Sequence, residues 1–156
     1  MSSTDPKPVN FDDTWRVARV TVDSATLFLR FRQHLRPLAG IDQLPNRLSV
    51  VWLYDSEPLP DSHGMPSENL LSEMEALEDA LADAFEPHGI AILVSVATGA
   101  GRREWTWYCC DRDVLARELN EALAPHPRYP IHLSITADPA WEGYLQLLND
   151  IPIADE

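Results

Sequence analysis

The side chains able to do chemistry are few and scattered. Cys109 and Cys110 adjoin in GRREWTWYCCD (101–111), between an arginine pair and an aspartate. A thiol pair suggests a metal ligand set or a redox couple. Neighbours on a strand, however, point to opposite sheet faces, so they share a metal poorly, and a bridge between them is strained. No C-x-x-C accompanies them, and they read as small apolar strand residues. His34, His63, His88, His126 and His132 show no paired spacing such as H-E-x-x-H, so no metal site is expected. G-x-S-x-G, a phosphate loop and a dinucleotide fingerprint are missing. No catalytic residue and no cofactor is therefore assigned.

Two groups of residues remain as candidates. The first is a carboxylate row, Glu68, Glu75, Asp79, Asp83 and Glu86, facing outward on one helix; the plainer reading is a solvated face. The second is a pocket where the loop 56–66 meets the turn 99–103, with Tyr54, His63, Met65, Glu78 and Arg103. His63, in DSHGMP, lies near a helix start, where backbone donors point outward; the plainer reading is a solvated loop histidine. Glu78 flanks the apolar stripe of its helix, and a half-buried ion pair with an arginine is the simplest role for it.

The elements that position these residues follow from periodicity. TWRVARVTVD (14–23) and TLFLRFRQHL (26–35) alternate and form a hairpin, with Arg16, Arg19, Arg30 and Arg32 keeping an exposed edge or face soluble. RLSVVWLYD (47–55) is a strand. SENLLSEMEALEDALADAFEP (67–87) is the clearest helix. Ser67 caps it, Leu70, Met74, Leu77, Leu81 and Phe85 make one apolar face, and Pro87 and Gly89 end it. GIAILVSVAT (89–98), buried on both faces, and REWTWYCCD (103–111) form a second hairpin. DVLARELNEAL (113–123) is a helix capped by Asp111 or Asp113. PIHLSIT (130–136) is a strand. ADPAWEGYLQLLNDI (137–151) is a closing helix with Asp138 at its N-cap and Pro139 at the first helical position. Trp52, Tyr54, Trp105 and Trp107 share strand faces; core packing accounts for them better than an open platform for bases.

From residue 47 the order is strand, helix, strand, strand, helix, strand. That predicts an α+β fold: a ferredoxin-like βαββαβ sandwich with an N-terminal β-hairpin and a C-terminal helix. Strands 47–55 and 103–111 should lie in the middle, and the hairpin should extend the sheet or cover its open face. With 156 residues and 45% hydrophobic content, one domain over 14–151 behind a polar tail at 1–13 is expected. The tail has no secretory pattern and no apolar run is membrane-length, so the cytoplasm is expected.

Charge is the most informative bulk property. The net charge is −13, yet residues 1–47 carry seven basic and five acidic groups. Residues 48–101 carry ten acids and no Lys or Arg. Direct nucleic-acid binding is disfavoured, because phosphate binding needs a basic surface. A basic protein partner is the sharper expectation, a nucleic-acid enzyme or a toxin being of the right charge.

VVWLYD, HGMPSE, EMEALEDAL, TGAGRREWTWYCCD and YPIHLSITADPAWEGY, in that order, resemble the bacterial family known as domain of unknown function 695, over roughly residues 12 to 150. By this resemblance Gly64, Met65, Pro66, Glu78, Arg103, Trp105, Tyr108, Asp138, Trp141 and Tyr144 are family positions; no activity comes with them. The carboxyl half also resembles the ribonuclease E inhibitor family, small acidic cytoplasmic regulators with a ferredoxin-like domain, which implies protein binding. The expectation is therefore a non-enzymatic regulatory or interaction domain that uses its acidic helix. The alternative is a small-molecule-binding enzyme or sensor with the pocket described above.

Overall fold

The computed structural model describes residues 6–22, 25–54 and 65–151. In chain order the elements are β1 (Trp15–Val22), β2 (Ala25–Arg32), β3 (Asn46–Leu53), α1 (Glu68–Phe85), β4 (Ala91–Gly99), β5 (Arg102–Cys109), α2 (Arg112–Leu123), β6 (Ile131–Ala137) and α3 (Glu142–Asp150). All neighbouring strands are antiparallel, in the order β1-β2-β4-β5-β3-β6. The sheet is thus six strands wide. The hairpin extends it, because β2 pairs with β4 from Phe28 opposite Thr98 to Phe31 opposite Ser95. β5 and β3 both lie inside the sheet, with β6 at the edge beyond β3.

One sheet face carries Leu48, Val50, Trp52, Leu93, Trp105 and Trp107 and packs against α1 and α2. From α1 come Met74, Leu77, Leu81 and Phe85, all buried. At roughly 2 kcal/mol for each buried side chain of this size, packing holds α1 in place, and its outward charges are left free for other uses. Ser67 caps the helix by accepting from the Leu70 N–H at 3.2 Å. A short 3-10 turn, Glu86–His88, follows, and Gly89 then takes φ of 69°. A Cβ there would fall on the Lys7 carbonyl oxygen, so only glycine fits.

The opposite face carries Leu29, Phe31, Ile92, Val94 and Tyr108. Over it lie Leu35, Leu38 and Leu44 from the link after β2, and Trp141, Tyr144 and Leu148 around α3. α3 begins later than the spacing predicted. Asp138, Pro139 and Ala140 form a turn, and Trp141 has φ of 60°. Pro139 therefore is not the first helical residue. Asp138 still does a cap's work, accepting from the N–H groups of Glu142 (2.8 Å) and Gly143 (3.0 Å).

Candidate functional site

On α1, Glu68, Glu75, Asp79 and Asp83 are exposed. Glu86 is not, which corrects its place in the outward row. It lies past the helix end, where the 3-10 turn swings it under the sheet. Its side chain is 14% exposed and binds Arg32 Nη1 at 2.6 Å. It also accepts from the Leu93 N–H at 2.9 Å. Arg32 likewise departs from its expected role on a solvated edge. Its side chain is 6% exposed and is met from the other side by Asp13 at 2.8 Å. Phe11 and Trp15 flank its guanidinium. Burial works against the Arg32 charge, but hydrogen bonds and charge from Glu86 and Asp13 outweigh it, and the pKa is raised.

Of the expected pocket, His63 lies outside the described residues. Met65 is half-buried and leads into buried Pro66 and the cap of α1. The Tyr54 N–H donates to the Gly101 carbonyl at 2.9 Å, which ties the end of β3 to the turn after β4. Glu78 Oε1 receives Arg30 Nη2 at 2.7 Å and Trp105 Nε1 at 2.9 Å, with Arg103 Nη2 at 3.8 Å. Arg103 is 7% exposed, and its Nε has no hydrogen-bond partner. Burial lowers its pKa, and Glu78 offsets this only in part. Burial raises the Tyr54 pKa, with the Arg103 charge opposing. Tyr54, Glu78 and Arg103 therefore share one electrostatic neighbourhood, with Glu78 in an ion pair.

The cysteines do not alternate across the sheet. β5 ends at Cys109, so the pleat does not carry Cys110 to the far face, and both thiols lie in the core under α1 and α2. Burial pushes Cys109 up to about 12 and Cys110 up to about 11. A thiolate is the reactive form, and burial and the raised pKa both work against its formation in the folded protein. Among the described residues no cluster of three His, Cys, Asp or Glu could hold a metal. No described helix is long and apolar enough to cross a membrane.

The residues of the motifs meet in space. Glu78, Arg103 and Trp105 form the cluster just described, on the α1 side. Tyr108, Asp138, Trp141 and Tyr144 form a second on the other side. The Tyr108 hydroxyl donates to Asp138 Oδ2 at 2.6 Å and accepts from the Tyr144 N–H at 3.1 Å. The Tyr108 and Trp141 rings stack, 4.2 Å between centroids and 12° from parallel. Trp141 Nε1 donates to the Leu44 carbonyl at 2.9 Å. The Tyr144 hydroxyl donates to the Arg32 carbonyl at 2.7 Å and accepts from the Leu35 N–H at 3.1 Å. These contacts fasten α3 and the 33–45 link to the sheet, and they hold Trp141 in a left-handed conformation that a bulky residue rarely adopts.

A third feature was not singled out from the spacing. Beside α3 no described residue covers the sheet face, which forms a basin of about 510 Å³. Its floor carries a row of hydroxyls across four strands: Ser95 opposite Thr106, Thr106 opposite Ser49, and Ser49 opposite Ser134. Ser49 Oγ donates to Glu104 at 2.6 Å, and Glu104 also pairs with Arg102 at 3.0 Å. At the α3 end sits Arg47, whose guanidinium lies where a Cβ on Gly143 would fall. Paired residues of neighbouring strands lie on one sheet face, the face opposite α1 and α2. Only the register places them side by side.

Together these features define an α+β protein: a six-stranded antiparallel sheet with two helices on one face and a third beside a polar basin on the other. Residues 13–149 match the family of unknown function DUF695, and the chain belongs to that family. No curated protein and no solved structure matches it.

Proposed function

We propose that this is a non-enzymatic regulatory domain that docks on a basic protein through the outward face of α1. The carrying observation is how the carboxylates divide. Glu78 and Glu86 are engaged by Arg30, Arg32 and Arg103, whereas Glu68, Glu75, Asp79 and Asp83 stay exposed on a rigid helix. No Lys or Arg lies between residues 48 and 101 to neutralise them. Such a surface speeds encounter with a basic partner, and salt weakens the complex by screening. A nucleic-acid enzyme or a toxin in the cytoplasm has suitable charge. The buried thiols and the ion-paired Glu78 favour binding over catalysis. We also read the sheet as a ferredoxin-like unit lengthened by a hairpin. Its support is that β6, β3, β5 and β4 neighbour one another in that order, with α1 and α2 packed on one face.

The test is affinity capture from native lysate at low and moderate salt, with the Glu75→Lys, Asp79→Lys, Asp83→Lys variant as control. A basic protein held at low salt, and lost both on raising salt and with the variant, is the expected result. Retention insensitive to salt and to charge reversal would remove the acidic face from the account.

A second reading, a ligand pocket around Tyr54, Glu78 and Arg103, is favoured by one observation: the buried Arg103 guanidinium has no hydrogen-bond acceptor on Nε. A ligand screen by thermal shift, repeated on Arg103→Met, tests it; a hit that shifts both proteins equally would sink it.

A further inference from the structure

We propose that the basin on the sheet face beside α3 binds a small anionic polyol, a sugar acid or a sugar phosphate, with Arg47 taking the anionic group. The volume of about 510 Å³ falls within the range of small-molecule sites, roughly 300–1,000 Å³.

Arg47 is the anchor. It is half-buried, and no hydrogen bond or ion pair holds its guanidinium among the described residues. Its charge acts on Asp138, but that carboxylate is already occupied by the Tyr108 hydroxyl and by the N–H groups of Glu142 and Gly143. Gly143 lacks the Cβ that would fall on Arg47 Nη1, so the helix leaves the guanidinium its place. A guanidinium presents parallel donors that match a carboxylate or a phosphate in bidentate fashion.

The rest of the basin suits a hydroxylated carbon frame. The row Ser95, Thr106, Ser49, Ser134 crosses the sheet, at the strand spacing of about 4.8 Å. A hydroxyl can donate and accept, as the hydroxyls of a polyol require; Ser49, whose hydrogen goes to Glu104, can still accept. Val51 and Leu147, both half-buried, border the same basin and offer surface to C–H groups. Glu104, on the floor, accepts hydrogen bonds and disfavours a second negative group. The net charge of −13 repels a polyanion such as RNA, so the ligand is a small molecule with one anionic group.

The test is isothermal titration of the full chain with gluconate and with glucose 6-phosphate, using glucose and inorganic phosphate as partial probes. Saturable one-to-one binding of either anionic polyol is expected, with both partial probes at least about tenfold weaker. Arg47→Gln should lose about tenfold or more in affinity, and its thermal midpoint should fall only by the small contribution that the Arg47 charge makes at Asp138. Should the midpoint fall further, Gly143→Ala serves instead, since its Cβ meets Arg47 Nη1 most closely, ahead of the Tyr108 hydroxyl and Asp138, and keeps the charge; about tenfold loss supports the site. No saturable binding up to about 10 mM of either polyol, or binding that the substitution leaves unaltered, overturns the proposal. Gluconate alone or glucose 6-phosphate alone assigns the anion as carboxylate or phosphate. Inorganic phosphate as tight as glucose 6-phosphate overturns the polyol assignment.

Discussion

Glu86→Ala separates a structural carboxylate from the exposed ones on the same helix segment. The substitution removes the acceptors for Arg32 Nη1 at 2.6 Å and Nη2 at 3.2 Å, and for the Leu93 N–H at 2.9 Å. Arg32 stays buried, 6% exposed on its side chain, and keeps only Asp13, which is 70% exposed, and the Leu93 carbonyl. Breaking one side of a buried ion pair costs about 3–5 kcal/mol, because the remaining charge is left uncompensated. Asp13 screens part of that charge, so the expected loss is about 3 kcal/mol. In a chain of this length that lowers the thermal midpoint by about 6–12 °C. Urea titration followed by tryptophan fluorescence measures it, and an unchanged slope with denaturant shows that the unfolded state is not what moved. Glu86→Gln should fall between, since the amide still accepts from Arg32 but carries no charge. The Glu75→Lys, Asp79→Lys and Asp83→Lys changes, at exposed positions, should each move stability by less than about 0.5 kcal/mol. An Ala variant of Glu86 as mild as these would refute the inward placement of Glu86 and the division of carboxylates built on it.

Asp138 links stability to pH. Burial raises its pKa, but the Tyr108 hydroxyl, the N–H groups of Gly143 and Glu142, and the Arg47 charge together bring it below 3.8. A carboxyl depressed in the folded state adds stability that is fully present above its unfolded value and is lost as pH falls through the folded one. The stability gap between wild type and Asp138→Asn should therefore be widest well above pH 3.8 and should close below it; a gap that stays constant down to about pH 2 contradicts the assignment. Tyr144→Phe removes the hydroxyl between the Arg32 carbonyl and the Leu35 N–H, and leaving buried backbone groups unpaired should cost about 1–3 kcal/mol in the same urea titration. Cys109 and Cys110 should not react with a thiol–disulfide reagent at pH 8 in the native protein, and both should react at once in denaturant; fast native labelling would contradict their burial.

The two motif clusters show how far local reading reached. Of the positions that the family resemblance named, Glu78, Arg103 and Trp105 meet in one cluster and Tyr108, Asp138, Trp141 and Tyr144 in the other. Nothing local says that Tyr108 stacks on Trp141, or that Tyr144 reaches back to the Arg32 carbonyl. The helix wheel placed Glu68, Glu75, Asp79 and Asp83 correctly outward and then failed at Glu86, because it assumed that the helix continued. Pro87 and the 3-10 turn rotate that residue inward, toward an arginine fifty-four positions earlier.

What the sequence by itself determined is therefore what periodicity and local capping encode: the strands, the buried stripe of α1, its Ser67 cap, and the acidic stretch without a single basic residue. Those depend on neighbours a few residues apart. The tertiary structure alone decided where the first hairpin attaches, how Cys110 and Glu86 turn inward, and which hydroxyls share a basin with Arg47. Each of these depends on pairing between segments distant in the chain. Strand register is set by the fit of whole faces against each other, and a shift of one residue in any strand would send its hydroxyl to the other side of the sheet.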